Sequence, residues 1–279
     1  MRSALLFFRG FLLICCPLLV LGSICFPSNW LLISSRERSH GSEQVVFYDS
    51  YGDIPQIKYT YAAVERGVSI AALRNKNYTL LAFNWPNTSA LQIPMGAYPL
   101  HTLSSSHINN PSSSQLILVT GLAGDCRRVL GFAKETALNL TYEFGGPPSG
   151  RLIASKVGAL LQEATGGGSR PLAVHVIIAD GLNGGTLLEV DLTGTVTEVW
   201  GAAGGKGSKE GLRYLEDRWT DPLSCSLEEA EKTLREAMER MAEEAAKKNR
   251  EEDDGGSGFR MRATTITRLQ IVRHQLDDS

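Results

Sequence analysis

Few residues in this chain of 279 combine the types and spacing that chemistry requires. The five histidines, His40, His101, His107, His175 and His274, are scattered without ligand spacing, so no metal site is expected. His175 falls in an apolar run and reads as a hydrogen-bonded core histidine. Of the five cysteines, Cys15, Cys16 and Cys25 lie in the first 25 residues. The remaining two, Cys126 and Cys225, have no CxxC spacing, which argues against a disulfide scaffold or a zinc ribbon. Cys126 reads as a packed thiol. The stretch 201–208 is rich in glycine and lysine, but a phosphate-binding loop needs glycine where Trp200 stands and Ser or Thr where Gly207 stands. Asn77, Asn87 and Asn139 occupy glycosylation sequons. No cofactor is expected. A net charge of -2 lacks the basic footprint of a nucleic-acid binder, and gives no support to an acidic substrate or an anionic membrane surface.

The elements that would position any site are more legible. Hydrophobic residues make up 43% and charged residues 21%, enough for a sizeable core. Ile54, Ile57, Tyr61 and Val64 recur at helical spacing, so 54–66 reads as a short amphipathic helix stopped at Gly67. The runs 69–73 and 79–83 flank Asn75-Lys76-Asn77 as a hairpin. A weak strand near 100–103 and an apolar strand at 115–120 follow. Helices are expected over 125–142, with Asp125 as a cap, and over 149–165, ended by Gly166-Gly167-Gly168. Strands return at 172–179, 187–190 and 196–200. Helices are then expected at 208–219 and from a Ser226 cap to about Arg250. The charge-rich stretch 228–254 reads as a solvated helix face and loop, and a last strand is expected near 262–267. Strands, two helices, strands and helices in that order predict an α+β fold, with two antiparallel sheets face to face and helices outside.

The first 25 residues read as a signal-peptide-like leader, with a transit-like segment of low structure at 26–45. Arg2 is followed by an apolar run at 11–21, the length of a signal-peptide core and short for a membrane span. Cleavage is expected between Cys25 and Phe26, with an uncleaved anchor as the alternative. Residues 26–45 are rich in serine and arginine, like a transit peptide. The combination resembles the bipartite presequences of algae with secondary plastids. That implies passage through the secretory pathway to a plastid-associated compartment, against the alternative of cytoplasm and nucleus. Residues 46–250 would form the main domain, and 251–279 an acidic, glycine-bearing loop with the last strand.

Within the main domain, Gly52-Asp53-Ile54-Pro55-Gln56-Ile57-Lys58-Tyr59, with Ala63, Val64 and Gly67, resembles the N-terminal signature of proteasome α-type subunits. Gly121-Leu122-Ala123-Gly124-Asp125-Cys126-Arg127 is similar to the family's turn into a helix. Arg170-Pro171-Leu172, Glu189-Val190-Asp191 with Gly194, and 205–210 leading to Leu215-Glu216 follow in the family's order. The resemblance implies the four-layer α/β/β/α sandwich of N-terminal-nucleophile hydrolases. It marks Gly52, Gln56, Ile57, Tyr59 and Gly67 as the ring and gate signature, and Gly121, Asp125 and Arg127 as the helix-entrance motif.

In that fold, catalysis needs a hydroxyl nucleophile at a newly cut N-terminus, with its own amine as base. The active subunits carry threonine after the glycine; here Val68 follows Gly67. Their aspartate is matched by count to Asn84, and no lysine occurs between Lys76 and Lys134 to depress a nucleophile's pKa. The resemblance therefore implies a non-catalytic ring subunit. Its partners would be other α- and β-type subunits in a heptameric ring, with polypeptide substrates in transit. Two alternatives stand beside it: an active hydrolase using Ser69, and a free-standing binding module. Lys58 and Thr60 depart from the family's glutamate and alanine, and Tyr48-Asp49 supplies only part of the usual gate segment. Ala90 stands where the family places an activator-binding lysine, which puts activator docking in doubt.

Overall fold

The computed structural model describes residues 48–85, 99–105, 114–166, 170–181, 185–220, 222–254 and 268–275. The leader, the 26–45 segment, His40, His107, Asn87, Ala90 and the strand expected at 262–267 lie outside these residues.

Pro55–Val64 forms α1, with proline in the first turn, where the missing N–H costs nothing. Ile70–Arg74 (β1) and Tyr78–Trp85 (β2) make the expected hairpin, Ile70 opposite Phe83 and Leu73 opposite Leu80. Leu100–Ser105 (β3) and Ser114–Gly121 (β4) precede Ala123–Phe144 (α2) and Gly150–Gly166 (α3). Val174–Asp180 (β5), Thr186–Val190 (β6), Val196–Glu198 (β7) and Gly201–Gly204 (β8) lead to Ser208–Arg218 (α4). Leu227–Asp254 (α5) and Arg268–Gln275 (β9) complete the described elements.

The sheets have the orders β8-β1-β2-β9 and β3-β4-β5-β6-β7, with antiparallel pairing throughout. Side chains alternate across each strand, so a strand covered on both faces is apolar at every position. Ile70, Ala72, Leu81 and Phe83 meet Leu116, Leu118, Ile177 and Leu187 between the sheets. Ala71, Leu73, Leu80 and Ala82 turn the other way, onto Leu234, Met238 and Met241 of α5. Ile117, Val119, Val176 and Ile178 likewise meet Val129, Ala133, Ile153 and Val157 of α2 and α3. These three apolar interfaces define the four-layer α/β/β/α sandwich.

Two local expectations change. β8 occupies the glycine-rich stretch after Trp200, where no strand was expected; its small residues let it lie against β1, Ala72 opposite Ala202. An added Cβ at Gly204 would collide with the His175 ring. Pairing with β2 fixes the register of β9 from Arg268 opposite Trp85 to Gln275 opposite Tyr78. Asp125 is no cap: Leu122 holds the N-cap position of α2, with no side-chain capping bond. By contrast, Ser226 caps α5 as expected. Its hydroxyl accepts the Glu229 N–H at 3.3 Å, while the Glu229 carboxylate takes the Ser226 N–H at 3.2 Å.

Candidate functional site

The family's catalytic chemistry would have to occur at the junction of α1 and β1, and this junction is closed on itself. The Gly67 carbonyl accepts the Lys206 N–H at 3.2 Å. The Val68 carbonyl accepts the Thr120 hydroxyl at 2.5 Å. The Ser69 hydroxyl donates to the Lys206 carbonyl at 2.9 Å, and the Ser69 carbonyl takes the Asn84 N–H at 3.0 Å. Ser69 and Asn84 are both buried. Thus Ser69 sits just ahead of β1 with its proton directed at a carbonyl, not at a base. Asn84 meets it through backbone, with no carboxylate to offer. Two glycines allow this closeness. An added Cβ at Gly67 would lie 2.5 Å from the Gly121 nitrogen, and one at Gly205, whose φ is +82°, would strike the Val68 carbonyl.

Ahead of the junction, α1 lies on the end of the second sheet. Val64 packs with Ala173 and Leu192, and Ile57 and Ala63 flank them. The Tyr61 hydroxyl donates to the Asp191 carboxylate in the β6–β7 turn. Burial, with that carboxylate beside it, pushes the Tyr61 phenol far above its ordinary range. Thr60, where the family has alanine, donates back to the Gln56 carbonyl at 2.7 Å, which accommodates the hydroxyl within the helix.

The start of the signature is held locally. Asp49 Oδ1 accepts the N–H groups of Tyr51 at 2.8 Å and Asp53 at 2.9 Å, and Gly52 supplies the positive φ of +83°. Lys58 pairs with Asp53 at 2.5 Å and approaches Asp49 at 3.6 Å. The lysine that departs from the family pattern therefore has acidic partners of its own. Its pKa is raised by Asp53, while the turn N–H groups lower that of Asp49. Tyr48, Tyr51 and Tyr59 stand 70%, 88% and 75% exposed around this turn.

The third part is a tie between α2 and the strand that follows α3. Arg170 grips Asp125 with both guanidinium nitrogens, at 2.6 and 2.7 Å, and the Ala173 N–H adds a bond at 3.0 Å. Burial pushes the Asp125 carboxyl up, but Arg170 and the backbone donor outweigh it and leave the pKa below the usual value. Two motifs 45 residues apart in sequence are thereby one structural unit.

Of the residues singled out by sequence, Gly52, Gln56, Ile57, Tyr59 and Gly67 lie along the segment formed by α1 and its flanks, Tyr59 exposed and Gly67 buried. Gly121 joins it through contact with Gly67, and Asp125 through Ala173. Arg127 is exposed and stands apart. His175 is buried against Glu189 at 2.7 Å, and Cys126 is buried in the α2 core. Asn77 and Asn139 are exposed. Sequence reasoning missed Thr120, Gly205 and Asp191 as the partners that hold α1 and its junction. Asp191 lies in a recognised motif, but its pairing with Tyr61 has no local signal. Among the described residues, no group of three or more His, Cys, Asp or Glu is placed to hold a metal ion, and no helix is long and apolar enough to cross a membrane.

Comparison with known proteins agrees with this arrangement. Residues 64–252 match the proteasome subunit family. Proteasome subunit alpha type-2 of Saccharomyces cerevisiae is 31% identical over 195 residues, covering 67% of this chain and 74% of that protein. A probable proteasome subunit alpha type-2 of Neurospora crassa is 29% identical over 194 residues, 67% of this chain and 74% of its own. Proteasome subunit alpha of Haloquadratum walsbyi is 26% identical over 183 residues, 64% and 70% of the two chains. The sandwich, the retained α1 and these relatives together place the chain in the proteasome subunit family, as an α-type subunit.

Proposed function

We propose that this chain is a non-catalytic structural subunit of a heptameric α ring, and that α1 with its preceding turn helps control the passage of polypeptides to catalytic partner subunits. The observation that carries this reading is the closed junction at Gly67–Ser69. An N-terminal nucleophile needs a cut before a hydroxyl-bearing residue, and then a free amine, a carboxylate and a lysine around it. Here the residue after Gly67 is Val68, and Ser69 spends its hydroxyl on the Lys206 carbonyl. A cut before Ser69 would also detach α1 from β1, although α1 is packed on Ala173 and Leu192. The exposed tyrosines at 48, 51 and 59 supply the kind of amphipathic contact surface that interfaces favour.

The test has two readings. Native mass measurement of the chain from its own cells should place it in a particle many times its 30.4 kDa, with a mature N-terminus ahead of α1. Partner-free chain should not cleave peptides. If it does, and loses that activity in Ser69→Ala, the scaffold reading fails. A start at Ser69 would point the same way. The leader is tested separately, by following a reporter fused to residues 1–45; a reporter left in the cytoplasm would remove the proposed secretory route.

A further inference from the structure

A cavity of about 730 Å³ lies between the C-terminal end of α1, the β8–α4 turn and α5, next to the junction, which bonds to the Lys206 backbone, and apart from the exposed tyrosines. Its wall is strongly charged, and the charges are unequally matched. Glu65 is taken by Lys209 at 2.6 Å and Lys248 at 3.4 Å, both on the wall. Lys209 and Lys248 hold the Glu65 pKa below its usual value. Glu210 faces Arg240 at 3.9 Å, and Glu244 faces Lys247 at 3.7 Å; neither of those cations lines the cavity. Every carboxylate on the wall thus has a cation. Arg66, Lys206 and Arg213 line the same space and, among the described residues, have no carboxylate partner.

We propose that this cavity binds a small polyanion bearing several phosphate groups. Three cations without carboxylate partners come from the turn after α1, the β8–α4 turn and α4, so they line the space from three separate elements. Two are guanidinium groups, whose planar forks match phosphate oxygens. The volume falls in the range of small-ligand sites, which favours a compact anion over a folded partner. Ser208, the first residue of α4, also lines the cavity, and that helix has no side-chain cap. The overall charge of -2 conceals this cluster because the acidic residues are spread over the rest of the surface. The site uses the side chain of Lys206, whereas the junction uses only its backbone, and the Asp125 tie contributes nothing to it.

The experiment is calorimetric titration of the full chain with inorganic triphosphate, and separately with a nucleoside triphosphate, at low and physiological ionic strength. Saturable binding of one ligand per chain, weakening with salt, is expected. The double variant Lys206→Ala/Arg213→Ala should weaken it by about tenfold or more. Equal affinity for the two ligands would assign recognition to the phosphates alone; a tighter nucleoside triphosphate would identify a nucleotide as the source. Should the double variant fail to fold, Ala62→Trp narrows the cavity from an exposed lining position and keeps every charge, and it should weaken binding similarly. Absence of saturable binding by wild-type chain at millimolar ligand overturns the proposal, as does undiminished binding in a folded variant.

Discussion

The two ends of α1 are built by opposite means. At its C-terminal end, Gly67 and Ser69 are buried, and Gly67–Ser69 is bonded to residues from β4, β2 and the β8–α4 turn. At its N-terminal end, Asp49–Asp53 is exposed and bonded almost wholly within itself and to Lys58. One end can change only if the fold changes. The other can alter its surface, as Lys58 has done, while the sandwich stays intact.

Substitutions at the anchor should be the most damaging. Gly205→Ala forces a side chain into a positive-φ position against the Val68 carbonyl, and should lower unfolding free energy by about 3–5 kcal/mol. Denaturant titration of the isolated chain measures this, and near-normal stability would mean that the junction is looser than its bonds imply.

Next in size is the Asp125 tie. Asp125→Asn removes a buried carboxylate from a bidentate pair. Because the Arg170 side chain is 57% exposed, the loss should be about 2 kcal/mol, below that of a fully buried pair. The pH dependence has a fixed sign. The folded pKa of Asp125 lies below its unfolded value, so its contribution is complete above an unfolded pKa of about 3.9 and fades as pH falls through the folded value. Acid unfolding curves should therefore converge for wild type and Asp125→Asn at low pH and separate toward neutrality. A constant gap would show that packing, and not charge, carries the tie.

Ser69→Ala removes one hydroxyl bond to the Lys206 carbonyl and should cost about 1 kcal/mol, with no change in peptide cleavage by the assembled particle. Lys58→Glu should be smallest at the level of folding, since the group is fully exposed and solvent screens its pairs. Its effect should appear in co-assembly with partner subunits, read by native mass. Unchanged assembly would leave the variable end without the role that the comparison gives it.

The sandwich was largely legible because hydrophobic periodicity is a local signal. The continuous apolar runs at 70–73 and 80–83 and the helical stripe at Val129, Ala133 and Ala137 each follow from a few neighbouring residues. β8 was not legible, since Gly201–Gly204 carries glycines and alanines that have low strand preference and are placed by close packing against β1. Asp125 showed the same limit: its position near a helix start suggested a cap, while its bonds go to Arg170 and Ala173. The cavity beside α4 was hidden for a related reason, as its cations lie at 66, 206 and 213 and meet only when α1 reaches the β8–α4 turn.

Sequence alone determined that this chain has no nucleophile after Gly67, because a side chain's functional group is fixed by its residue type wherever the backbone goes. It also determined which runs are helix and which are strand wherever apolar spacing is regular. Tertiary structure alone decided that Ser69 is occupied, that Asp125 ties two motifs together, and that unpaired cations converge on one cavity. Those outcomes depend on hydrogen bonds and charge pairs between residues tens to more than a hundred positions apart, whose distances are set by the packing of the four layers.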